Sequence, residues 1–138
     1  MRILYIDDDP SAIRMVGKLV GTAGHRLTGA GDVRQGIVTA MREKPDLILM
    51  DFDLPGVNGL DAVMMIKKSG SLGKTPIIMV TASATDEEAH LFLNKGADGF
   101  VPKPVSKERL LQTIESVVSK KDNGQDSKKI TGAGDSTQ

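Results

Sequence analysis

The chain has 138 residues, with 18 basic and 18 acidic side chains, 39% hydrophobic residues and no cysteine. That length suits one domain with a real core rather than two, and the balanced charge leaves no bulk field to hold nucleic acid or an anionic membrane surface. Without cysteine there is no disulfide scaffold or thiol chemistry, and no apolar run approaches the ~18 residues of a membrane span, so a soluble cytoplasmic protein is expected.

Met1-Arg2 leads directly into Ile3-Leu4-Tyr5-Ile6, an apolar run that reads as a buried strand ending at Asp7 and Asp8. Asp9-Pro10-Ser11 opens a helix with proline near its first position and Ile13, Val16, Gly17 and Val20 on one face; Gly21 and Gly24 end it. The second strand, Arg26 to Ala30, is partly polar and suits a sheet edge. Asp32 caps a helix whose inner face holds Ile37, Ala40 and Met41, and Lys44-Pro45 stops it. Asp46 opens the third strand, Leu47-Ile48-Leu49-Met50, which delivers Asp51. The turn-rich Leu54-Pro55-Gly56-Val57-Asn58-Gly59 then leads into a helix carrying Leu60, Val63 and Met64, broken at Ser69-Gly70-Ser71-Leu72-Gly73.

Ile77-Ile78-Met79-Val80 forms the fourth strand and ends at Thr81. A helix follows from about Ala84, with Asp86, Glu87 and Glu88 in its early turns, where they complement the helix dipole, and Lys95-Gly96 at its end. A short fifth strand at Phe100-Val101 precedes Pro102-Lys103-Pro104, and the last helix presents Leu110, Ile114, Val117 and Val118 at helical spacing. From about Lys121 the chain has almost nothing to bury, so residues 1–120 are expected to form the domain and residues 121–138 a disordered polar tail.

Five strands alternating with five helices predict a doubly wound α/β fold of three layers, because each parallel crossover needs a helix and turns to the right. In such a fold Asp7, Asp8, Asp51, Thr81 and Lys103 gather at the carboxyl edge of the sheet, where open α/β sheets bind ligands. Three carboxylates, a hydroxyl and an ammonium are together well suited to holding a divalent cation and a phosphoryl group against an acceptor carboxylate. Taken singly, each has a plainer explanation. An acidic run before a helix is more often a cap, threonine favours strand ends, and lysine is usually an exposed charge. His25 and His90 lack a companion at metal-ligand spacing, Met50, Met64 and Met65 read as core or near-core filling, and there is no glycine-rich phosphate cradle.

In order, and each at a predicted strand end, the motifs Ile6-Asp7-Asp8-Asp9-Pro10, Leu49-Met50-Asp51-Phe52-Asp53-Leu54-Pro55-Gly56, Val80-Thr81-Ala82 and Lys103-Pro104 resemble a response-regulator receiver domain of two-component signalling. The resemblance covers about Arg2 to Lys120 and points to a stand-alone, CheY-like receiver with the flavodoxin-like strand order 2-1-3-4-5. It implies that Asp51 is the phosphoacceptor, taking its group from a phosphohistidine on a sensor histidine kinase or a histidine phosphotransfer protein. It further implies Mg2+, held directly by Asp8, mainly through water by Asp7, by Asp51, and by the backbone carbonyl of Asp53. Thr81 would bond a phosphoryl oxygen and Phe100 would change rotamer in response. Lys103 would pair first with Asp51 and then with the phosphoryl group, and the Lys103–Pro104 bond would be cis. Asp53 and Ser83 are expected to tune the lifetime of the phosphorylated state, beside a small Ala82.

The implied output is control of a downstream protein target through helix 4, strand 5 and helix 5, without direct contact to nucleic acid or membrane. A dimer formed on phosphorylation is one form that association could take. No turnover is expected beyond self-directed phosphotransfer and autodephosphorylation. Two alternatives stand beside this reading. One is a pseudo-receiver that binds partners without phosphorylation. The other is a haloacid-dehalogenase-like phosphatase, suggested by Leu49-Met50-Asp51-Phe52-Asp53, which leaves Asp7 and Asp8 unexplained and lacks room for a substrate cap.

Overall fold

The three inner strands grow from short runs rich in branched aliphatic residues, the two edge strands carry fewer, and each helix grows from an amphipathic stretch with its own start signal. The computed structural model describes residues 1–82 and 85–127. The strands are β1 (Arg2–Ile6), β2 (Arg26–Ala30), β3 (Leu47–Asp51), β4 (Ile77–Thr81) and β5 (Gly99–Pro102). The helices are α1 (Pro10–Gly21), α2 (Val33–Glu43), α3 (Gly59–Lys67), α4 (Asp86–Asn94) and α5 (Lys107–Ser127), with a 3-10 turn at Gly70–Lys74. All strand pairs are parallel, in the order β2-β1-β3-β4-β5, so the expected doubly wound, flavodoxin-like arrangement is present.

Alternation along the strands divides the core in two. Leu4, Ile6, Ile48, Met50, Ile77 and Met79 face one layer, where Ala40 of α2, Val63 and Ile66 of α3 and Phe92 of α4 close over them. Ile3, Tyr5, Leu47, Leu49, Ile78 and Val80 face the other, covered by Val16 and Val20 of α1 and by Leu110, Ile114 and Val117 of α5. β3 is buried along its whole length, and Asp51 at its end is buried with it. A carboxylate therefore reaches the sheet edge on a backbone held by ladders on both sides.

The caps fix the helix starts. Asp9 accepts from the Ser11 amide and Asp32 from the Gln35 amide, as the acidic starts predict. Thr85 and Glu88 form a reciprocal capping box, and α4 begins at Asp86. Lys44, in the left-handed region at φ 50°, ends α2.

Two expectations need correction. Met41 and Met65 are 57% and 51% exposed rather than core or near-core. On α2 Ala40 is buried and Ile37 packs against the core as expected, but the rest of the inner face is Val33, Gly36 and Thr39; Gly36 lies so close to β1 that a Cβ there would stand 2.4 Å from Ile6 Cδ1. The contact is made by the absence of a side chain, which an apolar pattern does not register. Helix α5 runs through Ser127. Residues 128–138 of the expected tail lie outside the described residues.

Candidate functional site

Strand register brings the predicted residues together. Ile6 pairs with Met50, so Asp7 and Asp51 leave neighbouring strands at the same level. Thr81 pairs with Pro102, which puts Lys103 one residue beyond the same edge. Backbone bonds carry this alignment into the loops: Phe52 N donates to Val80 O at 2.9 Å, and Lys103 N donates to Thr81 O at 2.7 Å. The Lys103–Pro104 bond is cis.

Asp7, Asp51 and Thr81 are buried at 1%, 3% and 1% exposure, whereas Asp8 faces solvent. One carboxylate oxygen from each of Asp7, Asp8 and Asp51 lies within 4.8 Å of those of the other two. Three acids at that spacing repel one another, and the nearby donors answer only part of the charge. Lys103 Nζ lies 3.2 Å from Asp51 Oδ1 and 3.7 Å from Asp7 Oδ2. The Asp53 amide also donates to Asp51 Oδ1, at 3.1 Å. Both donors converge on Oδ1, which fixes the carboxylate rotation and leaves Oδ2 without a donor among the described residues.

Burial pushes the Asp51 carboxyl above its ordinary range, aided by the Asp7 charge and opposed by the Asp53 amide and Lys103. Burial works against the Lys103 ammonium, but its hydrogen bond to Asp51 and the charges of Asp51, Asp7 and Asp53 outweigh this and raise it. The acid cluster is thus a hard-oxygen, electron-rich pocket with one open, solvent-facing member, the donor chemistry that suits a hydrated divalent cation.

Two residues in the site escaped the sequence reading. Tyr5 is wholly buried, and its hydroxyl donates to Asp7 Oδ2 at 2.6 Å. Within an apolar run it reads as strand filling, and only its two-residue offset from Asp7 hints at a shared face. Phe92 of α4 stands between Phe52 and Phe100, with ring centroids 5.1 Å and 6.4 Å away. The position expected to change rotamer, Phe100, thereby joins the loop that carries Asp51 through one intervening ring. Gly59 holds that loop close: a Cβ there would stand 2.9 Å from the Phe52 carbonyl oxygen.

Asp53 is exposed beside the cluster, and Ser83 lies outside the described residues. The histidines stand apart. His90 is exposed, and His25 Nδ1 lies 3.0 Å from the Met1 amino group, with burial and that positive charge lowering its proton affinity. No described helix is long and apolar enough to cross a membrane.

The family model described as "Response regulator receiver domain" matches residues 3–115. The chain is 33% identical over 118 residues to the protein PilH of Pseudomonas aeruginosa, covering 86% of this chain and 98% of PilH. It is 36% identical over 116 residues to the DNA-binding response regulator MtrA of Mycolicibacterium smegmatis, covering 83% of this chain and 49% of MtrA. It therefore spans nearly all of the first relative and about half of the second. The fold matches the chemotaxis response regulator CheY4 of Vibrio cholerae with a TM-score of 0.78 and 29% identity, over 84% of this chain and 97% of CheY4.

Proposed function

The chain belongs to the response regulator receiver family of two-component signalling, and from that membership we propose that it is a phosphorylation-controlled switch with Asp51 as the acceptor. The observation that carries the reading is the buried Asp51 carboxylate, held by Lys103 at 3.2 Å and clustered with Asp7 and Asp8.

Asp51 Oδ2 attacks the phosphorus of an imidazole-bound phosphoryl group on a partner kinase or phosphotransfer protein. A P–O bond forms as the P–N bond breaks, and the electron pair leaves with the imidazole nitrogen, which takes up a proton. A carboxylate whose proton affinity is raised by burial is a better nucleophile than one in water. Lys103 moves from Asp51 to the phosphoryl oxygens and stabilises their charge, and the Thr81 hydroxyl donates to one of them. Asp8, Asp51 and the Asp53 carbonyl, with Asp7 through water, would hold Mg2+. That ion supplies charge neutralisation and alignment of the transferred group.

Thr81 and Phe100 then bias the α4–β5–α5 face toward a state that a downstream protein reads, shifting an equilibrium already present. Leu93 on α4 is an exposed large apolar side chain beside Val117 and Lys120 of α5, which supports use of that face in protein association, including self-association. We place the protein in the cytoplasm, in reach of the kinase.

The test is the intact mass of the parent chain and Asp51→Asn after incubation with Mg2+ and acetyl phosphate. One phosphoryl gain that needs Mg2+, present in the parent and absent from the variant, is expected. No gain under conditions that label another receiver would leave constitutive binding as the function.

A further inference from the structure

We propose that Tyr5 is a positioning residue for the cation site, its hydroxyl holding the Asp7 carboxylate in the orientation that faces Asp8 and Asp51. This rests on the cation-assisted reading above and adds to it a residue outside the acid cluster.

Tyr5 lies on β1 two positions before Asp7, whose amide continues the ladder past the strand end by donating to Ala30 O at 2.9 Å, so both side chains leave the same face of the sheet. It belongs to the buried cluster of Ile3, Val16, Val20, Leu47 and Leu49, otherwise aliphatic, in which a phenylalanine would fill the same space. What tyrosine adds is one donor, and that donor has one partner, Asp7 Oδ2 at 2.6 Å. The length is that of a charge-assisted O–H to carboxylate bond. The other oxygen, Oδ1, accepts from the Asp9 amide at 2.9 Å. With both oxygens held, the carboxylate cannot rotate.

The next donor near Oδ2 is Lys103 Nζ, at 3.7 Å, which is already bonded to Asp51 at 3.2 Å. Without the Tyr5 hydroxyl, Oδ2 turns toward that ammonium. Two effects follow: Asp7 swings out of the orientation that serves the cation, and Lys103 is drawn off Asp51. Groups that orient metal-binding carboxylates in this way typically change metal affinity by about tenfold or more when removed.

Backbone-amide NMR titrations with Mg2+ on the full chain, Tyr5→Phe, Asp7→Asn and the double variant test the proposal. The Asp9 and Asp53 amides, which donate to Asp7 and Asp51, are the reporters. Tyr5→Phe is expected to bind Mg2+ about tenfold more weakly while folded, and to have no further effect in the Asp7→Asn background. A loss of packing alone would persist in that background, so equal affinity in Tyr5→Phe, or an undiminished loss in the double variant, overturns the proposal. Should Tyr5→Phe fail to fold, the parent still answers. Tyr5 is the only tyrosine and the chain has no tryptophan, so its emission must change with the same Mg2+ midpoint as the amides, and a flat emission rejects the coupling. If the parent amides ignore Mg2+, the cation reading fails and this inference with it. If the parent binds and Tyr5→Phe binds equally, only the role of Tyr5 fails.

Discussion

Lys103→Met removes the one ammonium bonded to the acid cluster among the described residues and keeps most of the side-chain volume, so it isolates what that charge does. At 3.2 Å and 3.7 Å the gross attractions to Asp51 and Asp7 are each about 5 kcal/mol at an effective dielectric of about 20. Most of that is offset by the desolvation of the three charges. Breaking a fully buried pair costs about 3–5 kcal/mol, because the partners stay behind uncompensated. Lys103 is 30% exposed, so solvent screens the loss, and about 2–3 kcal/mol is the expected destabilisation without metal. Urea unfolding followed by far-ultraviolet circular dichroism, in chelator and in saturating Mg2+, reads it directly. The penalty is expected to shrink in Mg2+, which neutralises the same carboxylates, and the variant should bind Mg2+ more tightly than the parent because a repelling ammonium is gone. Equal stability of the two chains in chelator, or a loss of the same size in Mg2+, would refute the reasoning.

Acid titration separates Asp51 from an ordinary surface acid. Burial holds its folded value above the ordinary 3.8, so the folded chain binds that proton more tightly than the unfolded one. Its contribution to stability is greatest below 3.8 and falls as pH rises through the folded value; Asp51→Asn should gain on the parent across that window, and the opposite trend in paired urea melts would reject the burial argument. Lys103 titrates at the other end of the scale, its contribution present below 10.5 and lost as pH climbs through its raised folded value, which alkaline melts of Lys103→Met should show as a flatter curve. Asp53→Asn removes an exposed carboxylate two residues from the proposed acceptor Asp51 and is expected to change the rate of phosphoryl loss; equal rates by intact mass over time would sink that role. Gly59→Ala forces a methyl group against the Phe52 backbone and is expected to destabilise the chain by about 1–3 kcal/mol, measured as a lower urea midpoint.

Strand ends and caps were the legible part, because their signals are local. Asp7, Asp51, Thr81 and Lys103 each follow a short continuous apolar run, the pattern of a buried parallel strand, and parallel register does the rest. Contacts made by small residues were not legible: Gly36 and Gly59 matter through what they lack. Met41 and Met65 misled because their apolar character says nothing about which side of a helix has a neighbour. Tyr5 escaped for a third reason. Its ring satisfies the strand pattern so fully that its hydroxyl leaves no trace there, and the partner appears only when the strand is extended and Asp7 falls on the same face.

The aromatic row has a use of its own. The chain holds three phenylalanines, and all three belong to it, Phe52 beside Asp51, Phe92 on α4 and Phe100 on β5. A chain grown on fluorinated phenylalanine would therefore give a fluorine spectrum of three lines with no background from elsewhere. Each line would watch one stage between the reacting edge and the outer face. Whether those lines move together or in succession on phosphorylation would distinguish a concerted repacking from a relay, in the unmutated chain.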